Sequence, residues 1–459
     1  MNAFNTLPLS RALLDTIKDL NYEVMTPIQE QSIPPILEGK DVLAQAKTGS
    51  GKTAAFGIGL LENMDTRRYR VQSLILCPTR ELAEQVSDEL RRLARFQHNI
   101  KLVKITGGFP MHKQEHSLSH QAHIVVGTPG RVQKLLHRGS LILDELKTLV
   151  LDEADRMLDM GFIDQINDII GFAPPERQTL CFSATFPDDI RALSLSVMNN
   201  PVEVTVESQH KDTVIEQHFY EMTPQVRGEG IISILDKHRP ESCLIFCNTK
   251  DACRRVEEEL KNAGLHCLAI HGDLEQKERT EVLIRFSNGS SRILVATDVA
   301  ARGLDISELG AVINYDLPFE TETYVHRIGR TGRAGSEGLA FSLMRSKEMY
   351  RLELINEFTK SHYQPERLDF TELKDPSALA AEMVTLSING GRRNKISPGD
   401  ILGALTVKDG IPGTEVGKID RLDYITFVAV RRDSAERAFK ILDNGTIKGR
   451  SFRAMNHEV

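Results

Sequence analysis

Ala46-Lys47-Thr48-Gly49-Ser50-Gly51-Lys52-Thr53 stands between the short apolar run Val42 to Ala44 and a stretch with helical spacing. A loop of small residues at a helix start presents backbone N–H groups to a triphosphate, here from Thr48, Gly49, Ser50 and Gly51. The Lys52 ammonium then neutralises the outer phosphates, and the Thr53 hydroxyl is a hard oxygen ligand for Mg²⁺. About a hundred residues on, Asp152-Glu153-Ala154-Asp155 follows the apolar run Leu146 to Leu151. An in-line phosphoryl displacement needs a metal anchor and a group that orients and deprotonates water, which assigns Asp152 to Mg²⁺ and Glu153 to the water. A lone Asp-Glu pair also suits the first turn of a helix. Together with the loop it implies hydrolysis of a nucleoside triphosphate.

Such residues need strand ends to hold them. Asp41 to Ala44, Ser73 to Cys77, Leu102 to Ile105, Ile124 to Val126, Thr148 to Leu151 and Gln178 to Phe182 are short, branched and apolar, and the segments between them carry helical spacing, as in Leu82, Val86, Leu90 and Leu93. This predicts a parallel α/β sheet with helices on both faces over residues 1–207. The pattern restarts with Ser242 to Cys247, Cys267 to Ile270, Arg292 to Ala296, Ala311 to Asn314 and Gly338 to Leu343, giving a second α/β domain over 216–368. The polar segment Gln209 to Thr213 marks a linker at 208–215, and a second linker is expected at 369–382. Residues 383–459 have their own rhythm: Val384, Leu386 and Ile388 alternate, Ser397-Pro398 opens a helix to Leu405, Tyr424 to Val430 is a central strand, Ser434 to Leu442 a helix, and Arg450 to Met455 closes. That β-α-β-β-α-β order is the RRM order.

Length and charge agree with three domains. The chain has 459 residues, 41% hydrophobic and 26% charged, with no apolar stretch approaching the roughly 20 residues that span a bilayer. Met1 to Asp15 lacks the pattern of a secretory signal, so a cytoplasmic chain with no membrane partner is expected. The six cysteines form no Cys-x-x-Cys pair and sit in apolar runs, which predicts buried reduced thiols rather than a metal site. The net charge is −7, but from Pro376 onward Lys and Arg outnumber Asp and Glu by 3, leaving −10 on the first 375 residues. The tail is the module whose charge suits a nucleic acid.

With D-E-A-D after a strand, downstream of the phosphate loop, the chain resembles the DEAD-box RNA helicases, which commonly carry alanine where Ala46 stands. That resemblance implies two tandem RecA-like domains, ATP and Mg²⁺ as cofactors, and RNA as partner. Tyr22 to Gln29, with Phe4 upstream, is similar to the family's adenine-reading Q motif, so Tyr22 and Gln29 are expected at ATP, although Asn21 and Met25 stand where glycine and proline are usual. Thr26-Pro27-Ile28-Gln29 alone also fits a plain helix start. Thr79 and Arg80, Gly108 after Gly107, and Thr128, Gly130 and Arg131 match RNA-contacting elements of the first domain. Ser183-Ala184-Thr185 matches the element coupling nucleotide state to RNA grip, its hydroxyls directed at the segment ending in Asp155. In the second domain Asn248, Thr249, Gln276, Arg279 and Thr297 match further RNA motifs, and Asp305 matches a ribose-binding aspartate. His326 to Arg333 contains His326, expected in coupling, and Arg330 and Arg333, expected to neutralise charge on the γ-phosphoryl group.

The whole chain is similar to the bacterial DbpA subfamily, whose RRM-like tails bind a hairpin of large-subunit ribosomal RNA, implying pre-ribosomal particles as partners. In the tail's main strand Ile425 and Val430 replace the aromatics on which bases usually stack, while basic residues gather at Arg392, Arg393 and Lys395 and at Lys448, Arg450 and Arg453. Two rival readings stay open: an ATP-gated RNA clamp with little unwinding, and a DNA helicase.

Overall fold

The computed structural model describes residues 3–46, 49–97, 99–186, 188–206, 215–301, 309–332, 338–371, 373–407 and 410–457. Lys47, Thr48, the linker Gln209 to Thr213, Arg302 to Asp305 and Arg333 lie outside them. The chain divides into two compact units that part near residue 211.

The first unit runs α1 (Arg11–Asp19), α2 (Pro27–Leu37), β1 (Val42–Gln45), α3 (Lys52–Glu62), β2 (Ser73–Leu76), α4 (Arg80–Leu93), β3 (Leu102–Ile105), α5 (Met111–Ser119), β4 (Ile124–Gly127), α6 (Pro129–His137), β5 (Thr148–Asp152), α7 (Ala154–Asp159), α8 (Ile163–Gly171), β6 (Gln178–Ser183), α9 (Asp188–Val197) and β7 (Val202–Thr205). Its strands form one parallel sheet in the order β3-β4-β2-β5-β6-β1-β7. Alternate residues of a strand face opposite sides, so Val42, Ala44, Val150, Leu180 and Phe182 enter one apolar layer while Leu43, Leu149, Leu151 and Cys181 enter the other. Covered on both faces, β2, β4, β5 and β6 read as continuous apolar runs.

The second unit begins with β8 (Ile215–Glu221), α10 (Arg227–His238), β9 (Cys243–Cys247), α11 (Lys250–Asn262), β10 (Cys267–Ile270), α12 (Gln276–Ser287), β11 (Ile293–Thr297), α13 (Asp298–Ala301), β12 (Ala311–Asn314), α14 (Thr321–Ile328), β13 (Gly338–Met344), α15 (Met349–Thr359) and β14 (Pro365–Glu366). This sheet is again parallel, in the order β10-β11-β9-β12-β13-β8-β14. The tail follows as β15 (Met383–Ile388), α16 (Pro398–Leu405), β16 (Val416–Arg421), β17 (Thr426–Arg431), α17 (Ala435–Asn444) and β18 (Ala454–Asn456), an antiparallel sheet ordered β16-β17-β15-β18.

Val384, Leu386, Ile388, Val428 and Val430 face α16 and α17. Val430 therefore stands on the helix side and is not a substitute for a base-stacking aromatic. The other face carries Thr385, Ser387, Phe427 and Ala429, all at most 3% exposed, because it is docked on the preceding α/β domain. Asn288 Nδ2 donates to Thr385 Oγ1 at 2.9 Å and Thr385 Oγ1 bonds Ser290 Oγ at 2.7 Å. His457 bridges Ser387 Oγ and Glu281 Oε1, each at 2.8 Å, and its carbonyl accepts from Arg285 Nη2 at 2.7 Å.

Strands β7, β8 and β14 and the short reach of β18 depart from the sequence reading. Val202 to Thr205 alternates apolar and polar residues, as suits a half-exposed edge strand. Among the described residues no helix is long and apolar enough to cross a membrane. All six cysteines are free and buried.

Candidate active site

Parallel strands end on the same rim, and the order β5-β6-β1 sets three segments side by side there: Asp152 to Asp155 at the end of β5, Ser183 to Thr185 at the end of β6, and, beyond β1, Ala46 and the residues Gly49 to Gly51. Lys52 opens α3 and is 6% exposed; among the described residues its Nζ has no hydrogen-bond partner, nor do Asp152 Oδ1 and Ser50 Oγ. Buried polar atoms without partners are costly, so the arrangement fits an anionic ligand at Lys52 and a cation at Asp152. Thr53 is half-buried on the same first helical turn.

Asp152 is 2% exposed. Burial pushes its carboxyl up to about 7, with Lys52 opposing and Glu153 and Asp155 adding to the rise. Glu153, 3% exposed, has φ 55° and ψ 53°, a left-handed conformation that costs a non-glycine residue about 1–3 kcal/mol and is kept where function over-determines it. Its Oε2 pairs with Arg156 Nη1 at 3.1 Å.

Asp155 ties the rim together. Its Oδ2 accepts from Ala184 N at 3.0 Å, Thr185 N at 3.1 Å and Thr185 Oγ1 at 3.2 Å, while Asp155 N donates to Ser183 Oγ at 3.3 Å. Ser183 Oγ in turn donates to Thr185 O at 2.6 Å.

Gln29 sits against the phosphate loop. Its Oε1 accepts from Thr26 N at 2.9 Å as a helix cap, its Nε2 donates to Gly51 O at 3.2 Å, and Thr26 Oγ1 donates to Ser50 O at 2.8 Å. Gly51 has φ 91°, and a Cβ there would lie 2.5 Å from Gln29 Nε2. The helix-start role is thus present, and the same amide braces the loop. Tyr22 donates to Glu89 and stacks on Phe4 at 6.4 Å.

The other half of the rim, β3-β4-β2, carries the elements matched to RNA. Thr79 caps α4 by accepting from Leu82 N at 3.2 Å, Thr128 precedes α6 with Gly130 and Arg131 in its first turn, and Gly107 and Gly108 follow β3. Gly108 has φ 78°. A Cβ on Gly130 would meet nothing within 4 Å.

In the second unit Thr249 caps α11, Gln276 opens α12, Thr297 ends β11, and Arg279 Nη2 donates to Ala300 O at 3.3 Å. Asn248 is engaged inside the domain: Nδ2 donates to Leu317 O at 2.9 Å and Oδ1 accepts from Arg327 at 2.8 Å. Arg327, inside the segment His326 to Arg333 but with no role expected from the sequence, is 2% exposed and holds both oxygens of Asp298 at 2.7 and 2.6 Å, Asn314 Oδ1 at 3.1 Å and Asp316 O at 2.7 Å. Only an arginine fork makes that many bonds, and arginine at the inward position of a helix end was the available signal. His326 is in the last turn of α14, with Arg330 just beyond at 7% exposure.

In the tail, Arg392 N donates to Leu422 O at 2.8 Å and Arg393 N to Asp423 O at 3.0 Å, placing the Arg393 guanidinium 5.5 Å from the ring of Tyr424, which is 62% exposed. Lys448 Nζ donates to Lys395 O at 2.9 Å. Arg393 thus lies over an exposed aromatic, while the Lys448 ammonium links the Lys395 carbonyl to Asp400 at 2.8 Å.

A profile of the DEAD/DEAH box helicases matches residues 26–193, one of the helicase conserved C-terminal domain matches 227–335, and one of the DbpA RNA binding domain matches 385–455. The chain is similar to the ATP-dependent RNA helicase DbpA of Escherichia coli (strain K12), 49% identical over 456 residues and 99% of each chain. It is likewise similar to DbpA of Bacillus subtilis (strain 168), 39% identical over 477 residues and 99% of each. Among solved structures it resembles S. cerevisiae Dbp5 bound to RNA and ADP BeF3, with TM-score 0.72 and 31% identity over 80% of this chain and 96% of that one.

Proposed function

The chain belongs to the DEAD-box ATP-dependent RNA helicases that carry a DbpA RNA-binding domain, and from that premise we propose how its residues divide the work. It is an RNA-stimulated ATPase. Lys52, Thr48, Gly49, Ser50, Gly51 and Thr53 hold the triphosphate, Tyr22 and Gln29 the adenine, and Asp305 the ribose; Thr53 and Asp152 hold Mg²⁺, which when bound offsets charge on the phosphate oxygens. Glu153 orients and deprotonates the attacking water. Arg330 and Arg333 come from the other α/β domain, so hydrolysis is fast only when 1–207 and 216–368 close on each other about the 208–215 linker.

Closure completes an RNA path built from Thr79, Arg80, Gly108, Thr128, Gly130 and Arg131 on one side and Asn248, Thr249, Gln276, Arg279 and Thr297 on the other. Bending one strand there is incompatible with an A-form duplex, so the partner strand is released locally. Ser183, Thr185, Asp155 and His326 couple the two events. The tail, 383–459 beyond a 369–382 linker, directs the chain to large-subunit ribosomal RNA in pre-ribosomal particles in the cytoplasm, with Arg392, Arg393 and Lys395 as contacts.

The observation that carries this reading is a buried Lys52 Nζ and a buried Asp152 Oδ1, both without a hydrogen-bond partner among the described residues, on one strand rim. ATP hydrolysis measured against a panel of RNA fragments, with and without residues 383–459, tests it. Stimulation that is strongest with a ribosomal fragment and falls on deletion supports the address; equal stimulation removes it.

A further inference from the structure

Phe109 lies between β3 and α5, on the β3-β4-β2 half of the rim, and belongs to neither apolar layer of its unit. Its loop is fixed on several sides. Arg131 Nη1 donates to Phe109 O at 2.9 Å and to Gln114 Oε1 at 3.1 Å, and the buried Gln114 donates to Thr106 O at 2.8 Å. Arg80 lies against Gly107, where a Cβ would be 2.8 Å from its Nη2. On this frame Phe109 is 47% exposed, with the Lys104 ammonium 5.5 Å from its ring centroid and Lys104 itself paired with Glu84.

An exposed aromatic costs free energy in water and adds nothing to either core. Here Lys104 lies over the ring, Arg131 holds the Phe109 carbonyl and Arg80 lies against Gly107 two residues before. The hydrogen bonds of Arg131 to Phe109 O and Gln114 Oε1 go to neutral oxygens, so they do not cancel its charge, which burial and then the neighbouring Arg80 disfavour. A cationic rim suits phosphates, and a flat ring between the cations suits the face of an unstacked base.

We infer that Phe109 is a stacking platform for one base of a single RNA strand whose phosphates run along Arg80 and Arg131. The inference rests on the reading of this rim as an RNA path. It adds a contact to a base face, tolerant of sequence, to contacts otherwise made with phosphate and sugar.

The chain contains no tryptophan, so Phe109→Trp creates a sole indole reporter. The full-length variant is titrated with a single-stranded RNA oligonucleotide and a non-hydrolysable ATP analogue, while anisotropy of end-labelled RNA reports binding independently. Phe172→Trp serves as control, since Phe172 is 41% exposed beside His137, at the far end of α6 from Thr128. The expected result is quenching of the Phe109→Trp indole and none of the Phe172→Trp indole. Phe109→Ala and Phe109→Leu should each bind RNA about 5- to 100-fold more weakly, leucine failing because it has bulk but no π face. Bound RNA without quenching, equal quenching at both positions, or wild-type affinity in Phe109→Ala overturns the platform while leaving the RNA path intact. Failure of the wild-type chain to bind RNA overturns both.

Discussion

Asp155 and Thr185 meet at one carboxylate oxygen: Oδ2 of Asp155 accepts both the backbone N–H of Thr185 at 3.1 Å and its hydroxyl at 3.2 Å. Asp155 is 5% exposed, so this contact is a charge-assisted bond out of water. It joins the end of β5 to the end of β6, and any shift of one loop is felt by the other.

Thr185→Val keeps the side-chain shape and deletes the hydroxyl. About 1.5–3 kcal/mol of stability should be lost, as for a hydrogen bond to a charged group. Strand displacement should fall further than ATP hydrolysis, because the carboxylates of Asp152 and Glu153 are untouched. Parallel ATPase and short-duplex displacement assays read the difference; equal losses would argue against a coupling role.

Asp152 gives a pH dependence whose sign is fixed. Its folded carboxyl sits at about 7, above the ordinary 3.8, so its contribution to folding is full below the ordinary value and is lost as pH rises through about 7. In nucleotide-free protein Asp152→Asn should therefore raise the melting temperature at pH 8, with a gain of up to about 4 kcal/mol, and raise it by less than half as much at pH 5. The proposed Mg²⁺ role of Asp152 requires the ionised carboxylate, so on that reading wild-type affinity for Mg²⁺-ATP should rise from pH 6 to pH 8. Calorimetric melting at the two pH values checks the first statement and a nucleotide titration the second.

Arg327→Gln breaks a buried fork that serves Asp298, Asn314, Asn248 and the Asp316 carbonyl. A loss of about 3–5 kcal/mol is expected, as when one member of a buried pair is removed. Arg327→Lys should recover little, since one ammonium cannot span those acceptors. Urea unfolding of the three proteins decides it.

Docking of the tail depends on a polar seam. Thr385→Val leaves Asn288 and Ser290 without the hydroxyl between them and should weaken the seam by about 1–3 kcal/mol. Faster amide exchange in β15 and in α12 is the expected sign, and unchanged exchange would show that the seam is held elsewhere.

Much of this was legible from residue order. The fully buried strands read as apolar runs, and the rim loops read from residue types that only a phosphate or a metal requires. The edge strand β7, and β8 beside the short edge strand β14, were not, because half-exposed pairing leaves a mixed pattern. Arg327 was hidden because a buried guanidinium and a solvent-facing one have the same letter, and its fork depends on Asp298 and Asn314 arriving from other strands. The buried sheet face of the tail was likewise invisible: Thr385 and Ser387 look like exposed polar positions until Asn288, Ser290 and His457 cover them.

The central claim is that Asp152 and Glu153 stay idle until RNA brings Arg330 and Arg333 to the γ-phosphoryl group. Steady-state ATP hydrolysis of the full chain with and without ribosomal RNA, for wild type, Glu153→Gln and Arg330→Ala, tests it most directly. The account predicts strong RNA stimulation of the wild type, near-complete loss in Glu153→Gln, and an RNA-stimulated rate about 10³-fold lower or more in Arg330→Ala. Equal hydrolysis by the wild type with and without RNA, or full stimulation in Arg330→Ala, would contradict it.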